Sequence, residues 1–112
     1  AMSKLAEKIR KSRETVVEVD KYKFTVRRPT DLDMLEFRNG ITPRALIQYV
    51  IGWDGVTEGD LLRGGDPHPL AFDPEACAEW LADRPDLFGQ LVNRILESYQ
   101  AHTEALEAAR KN

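Results

Sequence analysis

The sequence is poor in cysteine, in histidine and in long apolar runs. Its single cysteine, Cys77, leaves nothing for an internal disulfide and fits a reducing cytoplasm. That cysteine and two histidines, His68 and His102, fall short of the roughly four N or S ligands of a zinc site. No apolar run approaches the roughly 18–20 residues that span a bilayer, so no membrane partner is expected. The opening "AMSKLAEKIRKSRE" lacks an apolar core, which argues against a signal peptide. Ala1 ahead of Met2 reads as a residue left by cloning and is set aside. Neither GxxxxGKS/T nor GxGxxG occurs, so the glycine pair in "RGGDPHP" is read as turn chemistry and not as a phosphate cradle. No repeat or low-complexity segment is present.

What is present suits one soluble domain. The chain has 112 residues, 42% hydrophobic and 31% charged, enough for a single core without staples. Its net charge of −3 is unevenly spread. Residues 1–28 hold nine Lys/Arg and four Asp/Glu, a balance of +5; residues 29–112 hold seven and fifteen, a balance of −8. A basic first quarter on an acidic body is compatible with nucleic acid contact. It equally describes a solvated helix followed by a hairpin with charged outer faces. The second reading is preferred, because the segment has only two aromatics and no recognition motif.

Local signals order the elements. Ser3 to Arg13 is a short helix with Leu5, Ile9 and Ala6 on one face, too short to stand alone, so it docks or frays. "TVVEV" (15–19) is β-branched, and "YKFTVRR" (22–28) alternates Tyr22, Phe24 and Val26 against Lys23, Thr25 and Arg27. With a turn at Asp20-Lys21 they predict a hairpin, which must lean on helices. Pro29 stops the second strand. Thr30 caps a helix whose Leu32, Leu35 and Met34 are expected to face the core. Asn39-Gly40 ends it, and Thr42-Pro43 opens another. "ALIQYVIGW" (45–53), apolar nearly all round, is read as its buried continuation. Asp73-Pro74 opens a helix carrying Ala76, Cys77, Trp80 and Leu81. Arg84-Pro85 breaks it. The last helix runs from about Pro85 to about Ala109. Its stripe is Leu87, Phe88, Leu91, Val92, Ile95, Leu96, Tyr99, then His102 or Thr103, then Leu106.

The fold expected is α+β and mainly α-helical: a small N-terminal β-hairpin packed on a bundle of about four helices. The domain division is a basic helix or arm at 1–14 and a single helical domain at 15–112.

The stretch "GWDGVTEGDLLRGGDPHPLAFDPE" (52–75) carries six acids, a histidine, three prolines and five glycines. Against the twelve-residue calcium loop it fails: Gly59 is central, but Val56 and Leu62 occupy ligand positions and Gly65 replaces the closing glutamate. Cys77 between alanines reads as a small buried hydrophobe and not as a nucleophile. No carboxylate pair suggests acid–base division of labour. The expectation is therefore no catalytic residue, no cofactor and no metal: a non-enzymatic protein. The stretch is long for an unstructured connector. Trp53 and Phe72 are expected to pin its ends into the core. The variant of that reading is an apolar surface completed by another chain.

Four segments resemble tail assembly chaperones of long-tailed bacteriophages: "FTVRRPTDLDMLEF" (24–37), "VIGWDGV" (50–56), "GDPHPLAFDPE" (65–75) and "EWLADRPDLFGQLVNRILESY" (79–99). The shared pattern is a strand leading to a helix, a helix ending in a Trp-acid-Gly-Val element, and a polar loop. A helix, an Arg-Pro-Asp break and a final helix follow. The resemblance implies a phage or prophage protein that coats the tape-measure protein and keeps it soluble until the tail tube polymerises. The partners implied are the tape-measure protein and the tail tube protein, with self-association into a ring or spiral compatible. The location implied is the host cytoplasm, outside the mature virion. A longer frameshifted product is a feature of many such genes. For this role the partner-binding residues expected are Trp53, Phe72, Trp80, Leu87 and Phe88. The competing reading is a small nucleic-acid-binding regulator using the basic N-terminal segment. The apolar "TPRALIQYVIG" does not suit a recognition helix.

Overall fold

The structure, a computed structural model, describes residues 3–111. Ala1 and Met2 of the expected arm, and Asn112, lie outside the described residues. The elements run α1 (Lys4–Lys11), β1 (Glu14–Val19), β2 (Tyr22–Arg27), α2 (Asp31–Phe37), α3 (Pro43–Ile47), β3 (Val50–Asp54), α4 (Glu58–Leu61), α5 (Pro74–Ala82) and α6 (Pro85–Lys111). The class is α+β, about 55% helical.

The hairpin forms as its alternation requires. Glu14 pairs with Arg27 and Val19 with Tyr22, and Asp20 takes a positive φ of 57° in the turn. Asp tolerates that conformation better than most residues. Val17, Val19, Tyr22, Phe24 and Val26 face inward and are buried.

The expected bundle of about four helices gives way to an antiparallel sheet of three strands in the order β1-β2-β3. The helix expected through 45–53 stops at Ile47, and Val50–Asp54 pairs with β2. Phe24 meets Trp53, and Val26 meets Val50 across an irregular register. The reason is the free edge of β2. A β-branched and aromatic segment gains ladder hydrogen bonds there, and a short apolar run does not by itself distinguish strand from helix. Gly52 suits the pairing, since a Cβ there would already lie 3.3 Å from Thr25 Cβ.

Helix starts follow their capping residues. Thr30, Thr42, Thr57 and Asp73 each accept a backbone N–H of the first turn, and Thr30 and Thr57 form reciprocal capping boxes with Asp33 and Asp60. Helices α5 and α6 cover the inner sheet face with Cys77, Trp80, Leu81, Leu87, Leu91 and Ile95. Helix α2 contradicts its expected orientation: Leu32 and Leu35 are 66% and 53% exposed. Its inward residue is Phe37, whose ring meets Tyr49 at 6.0 Å. Seven residues make barely two turns, so a single docked aromatic decides which face turns inward.

Candidate partner-binding surface

The connector between β3 and α5 is folded back on itself. Thr57 starts the short helix α4, and the Asp60 carboxylate accepts the Thr57 N–H at 2.9 Å. The Leu70 N–H donates to the Val56 carbonyl at 2.8 Å, and the Gly59 N–H to the Asp66 carbonyl at 3.0 Å. Val56 is fully buried, which explains a valine among so many polar neighbours. Asp60 also accepts the Tyr22 hydroxyl at 3.1 Å and faces Lys21 at 3.6 Å, tying the lobe to the hairpin turn. Asp66 accepts the His68 N–H at 2.8 Å, a local turn contact on an exposed tip. Gly55 and Gly64 have positive φ, 80° and 82°, as turn glycines do.

Both ends of the lobe are held by aromatic rings. Trp53 meets Phe72 at 4.9 Å and 78°, and its Nε1–H donates to the Leu70 carbonyl at 2.8 Å. Trp53 also lies 6.1 Å from Trp80, edge to face. Trp80 in turn contacts Tyr22 at 5.1 Å and Phe24 at 6.2 Å. The three edge-to-face pairs, Trp53–Phe72, Trp53–Trp80 and Trp80–Tyr22, add roughly 0.5–1.5 kcal/mol each beyond the area they bury, while Trp80–Phe24 is tilted at 33°.

The surface with apolar character lies on the other side of α5. Pro43, Ile47, Leu81, Ala82, Pro85 and Phe88 line a cup of about 240 Å³, with the exposed Arg44 beside them. The Arg84-Pro85 break shapes it. Pro85 starts α6 after the break that ends α5 at Ala82, and Phe88 is half-buried on its first turn. The break itself is braced by Arg84, whose guanidinium donates to both Asp86 oxygens at 3.1 and 3.0 Å.

The five residues expected to meet a partner therefore separate. Leu87 is fully buried and Trp80 is 6% exposed, so both are core of this chain and offer no surface. Trp53 and Phe72 are half-buried and pack on each other. Phe88 alone lines the cup. The cup's other residues, Pro43, Arg44, Ile47, Leu81, Ala82 and Pro85, were not among the partner-binding residues expected from the sequence. Only the meeting of α3 with α5 and the start of α6 joins them, and no local pattern announces it.

Among the described residues, no three His, Cys, Asp or Glu converge as metal ligands would. Burial pushes the Cys77 thiol up to about 11. Burial pushes the Tyr49 hydroxyl up to about 12, and the neighbouring Asp33 carboxylate adds to the effect. Burial would raise Asp33 and Asp60, but hydrogen bonds outweigh it. Those from Thr30 and Tyr49 to Asp33, and from Thr57 and Tyr22 to Asp60, hold both carboxylates below the usual range. These shifts have structural causes, caps and ring contacts. Comparison of the chain with protein-family models, curated proteins and solved structures finds no match.

Proposed function

We propose that the chain is a non-enzymatic assembly chaperone of the long-tailed phage kind, which holds a long helical tape-measure protein in solution. The observation that carries this reading is the apolar cup at Phe88, open to solvent and backed by the buried Leu81. An amphipathic helix presents apolar side chains at i, i+3, i+4 and i+7, and one such side chain suits a cup of this size. Large apolar residues left exposed elsewhere, Leu5 and Ile9 on α1, Leu32 and Leu35 on α2 and Leu96 further along α6, add contact area of the same character. Each contact is weak, and many copies along one rod share the work, so the coat is displaceable.

The test is co-expression with the largest helical protein encoded nearby, measuring how much of it stays soluble and co-purifies. Many copies per rod are expected. Phe88→Asp and Ile47→Asp should each lower recovery at least about tenfold, the effect of losing a central anchor, with the melting transition retained. A rod equally insoluble with and without the folded chain would remove the reading. Loss of recovery only in variants that no longer fold would remove the cup from it.

A further inference from the structure

Strand β1 is the outer strand of the sheet, and its free edge borders a groove of about 560 Å³. One wall is Ser12–Val17 with Arg28; the other is the α6 face bearing Arg94, Glu97, Ser98, Ala101 and His102. The register settles which backbone groups look into solvent. The Arg28 N–H donates to the Arg13 carbonyl at 2.8 Å, so Arg13, Thr15, Val17 and Val19 bond to β2. In an antiparallel ladder the alternate residues turn their N–H and C=O the other way. Glu14, Val16 and Glu18 therefore present theirs at the open edge. The Glu18 carbonyl is taken by Arg94 Nη1 at 3.3 Å; the groups of Glu14 and Val16 remain for a further strand.

The charges in this groove are arranged against each other. Arg13 and Arg28 are directly opposed across β1 and β2, on the sheet face that α6 covers, and like charges so placed repel. Among the described residues neither makes an ion pair. Arg28 Nη1 donates only to the Pro29 carbonyl at 3.1 Å. Asp31 lies near enough to Arg28 to attract it, but its carboxylate already accepts the Tyr99 hydroxyl at 2.6 Å. Arg94 meets Glu97 at 3.6 Å, the one acid within the groove's α6 wall. His102 completes that wall. Three guanidiniums therefore face the groove against Glu97, with Glu14 on the strand's outer face.

We infer that this edge binds an extended acidic segment of a partner protein, which adds as a fourth strand beside β1 with its carboxylates on Arg13, Arg28 and Arg94. Backbone hydrogen bonds to Glu14 and Val16 supply affinity, and the arginines supply the preference for acid. The small side chains of Ser98 and Ala101 leave room for a backbone between β1 and α6. A second copy of β1 fits less well: the register that sets Val16 against Val16 sets Glu14 against Glu18. This site is separate from the cup at Phe88 and does not depend on what binds there.

The probe is an array of synthetic octapeptides in which Asp or Glu alternates with Val or Thr, set against the same array with Lys in place of the acids. Binding to the full chain is read by fluorescence anisotropy. The acidic peptides should bind, weaken with added salt, and slow amide exchange at Glu14 and Val16. Arg13→Gln and Arg94→Gln should each weaken binding roughly tenfold with the melting transition unchanged, as loss of one charge-assisted contact does. Val16→Pro, which removes one outward N–H without touching β2 pairing, should weaken it further while Arg13 and Arg94 remain. Equal binding of acidic and lysine peptides, no binding by either, or unaltered exchange at Glu14 and Val16 would overturn the inference. So would a preference for duplex DNA, or a dimer formed through β1 in the free protein.

Discussion

Gly65 shows how closely the connector is packed. Its backbone φ is ordinary for any residue, yet an added Cβ would lie 2.7 Å from both the carbonyl carbon and the oxygen of Glu58. Backbone cannot swing aside as a flexible side chain can. Gly65→Ala should therefore destabilise the chain by about 1–3 kcal/mol, the usual range for overpacking. Gly40→Ala, with φ of 112° but open space around it, acts by strain alone. A pair of urea melts separates the two, and a wild-type midpoint for Gly65→Ala would refute the close approach. Thr57 and Asp60 act at the same scale: one carboxylate serves the cap, the Tyr22 hydroxyl and Lys21, so a polar loop is joined to the hairpin through a single side chain.

Helix α6 is two helices in energetic terms. Leu87, Leu91 and Ile95 repeat every four residues and are buried against the sheet, whereas Leu106 is 43% exposed and nothing beyond His102 packs inward. Twenty-seven residues at about 1.5 Å each make a rod of about 40 Å, longer than the molecule's two shorter dimensions of 33 and 27 Å. Leu91→Ala should cost about 2–5 kcal/mol, while deleting residues 104–111 should cost less than about 1 kcal/mol. Thermal melts of the two variants check this; an equal loss of stability would mean that the distal half is docked. Hydrogen exchange should follow the same division, slow around Leu91 and fast beyond His102.

The whole molecule measures 55 × 33 × 27 Å, elongated by α6. Its stability should have a pH plateau with two limbs. Asp33 and Asp60 have carboxyls lower in the folded chain than in the unfolded one. Their contribution is complete above the unfolded value of about 3.9 and is lost as pH falls through the folded values, so stability drops below about pH 4. Tyr49 is raised, so its contribution is complete below pH 10 and is lost as pH rises toward about 12. The urea midpoint measured from pH 2 to 12 should fall at both ends. Asp33→Asn should flatten the acid limb, and an acid limb unchanged in Asp33→Asn with Asp60→Asn would refute the assignment.

Much of this was legible in short stretches of sequence. Alternation at Tyr22, Phe24 and Val26 determined the hairpin and its inner face. Thr30, Thr42 and Asp73 marked three helix starts. The repeat Leu87, Leu91, Ile95 determined the buried stripe of α6. Each of these is a signal between neighbours in the chain, where geometry repeats every two or 3.6 residues. Tertiary structure decided the rest. Val50–Asp54 became a strand because β2 had an open edge. Leu32 and Leu35 stayed outside because Phe37 found Tyr49. The opposed pair Arg13 and Arg28 and the cup around Phe88 exist only where distant segments meet. A single sequence carries no local mark of such meetings, because their energy belongs to pairs of segments and to neither segment alone.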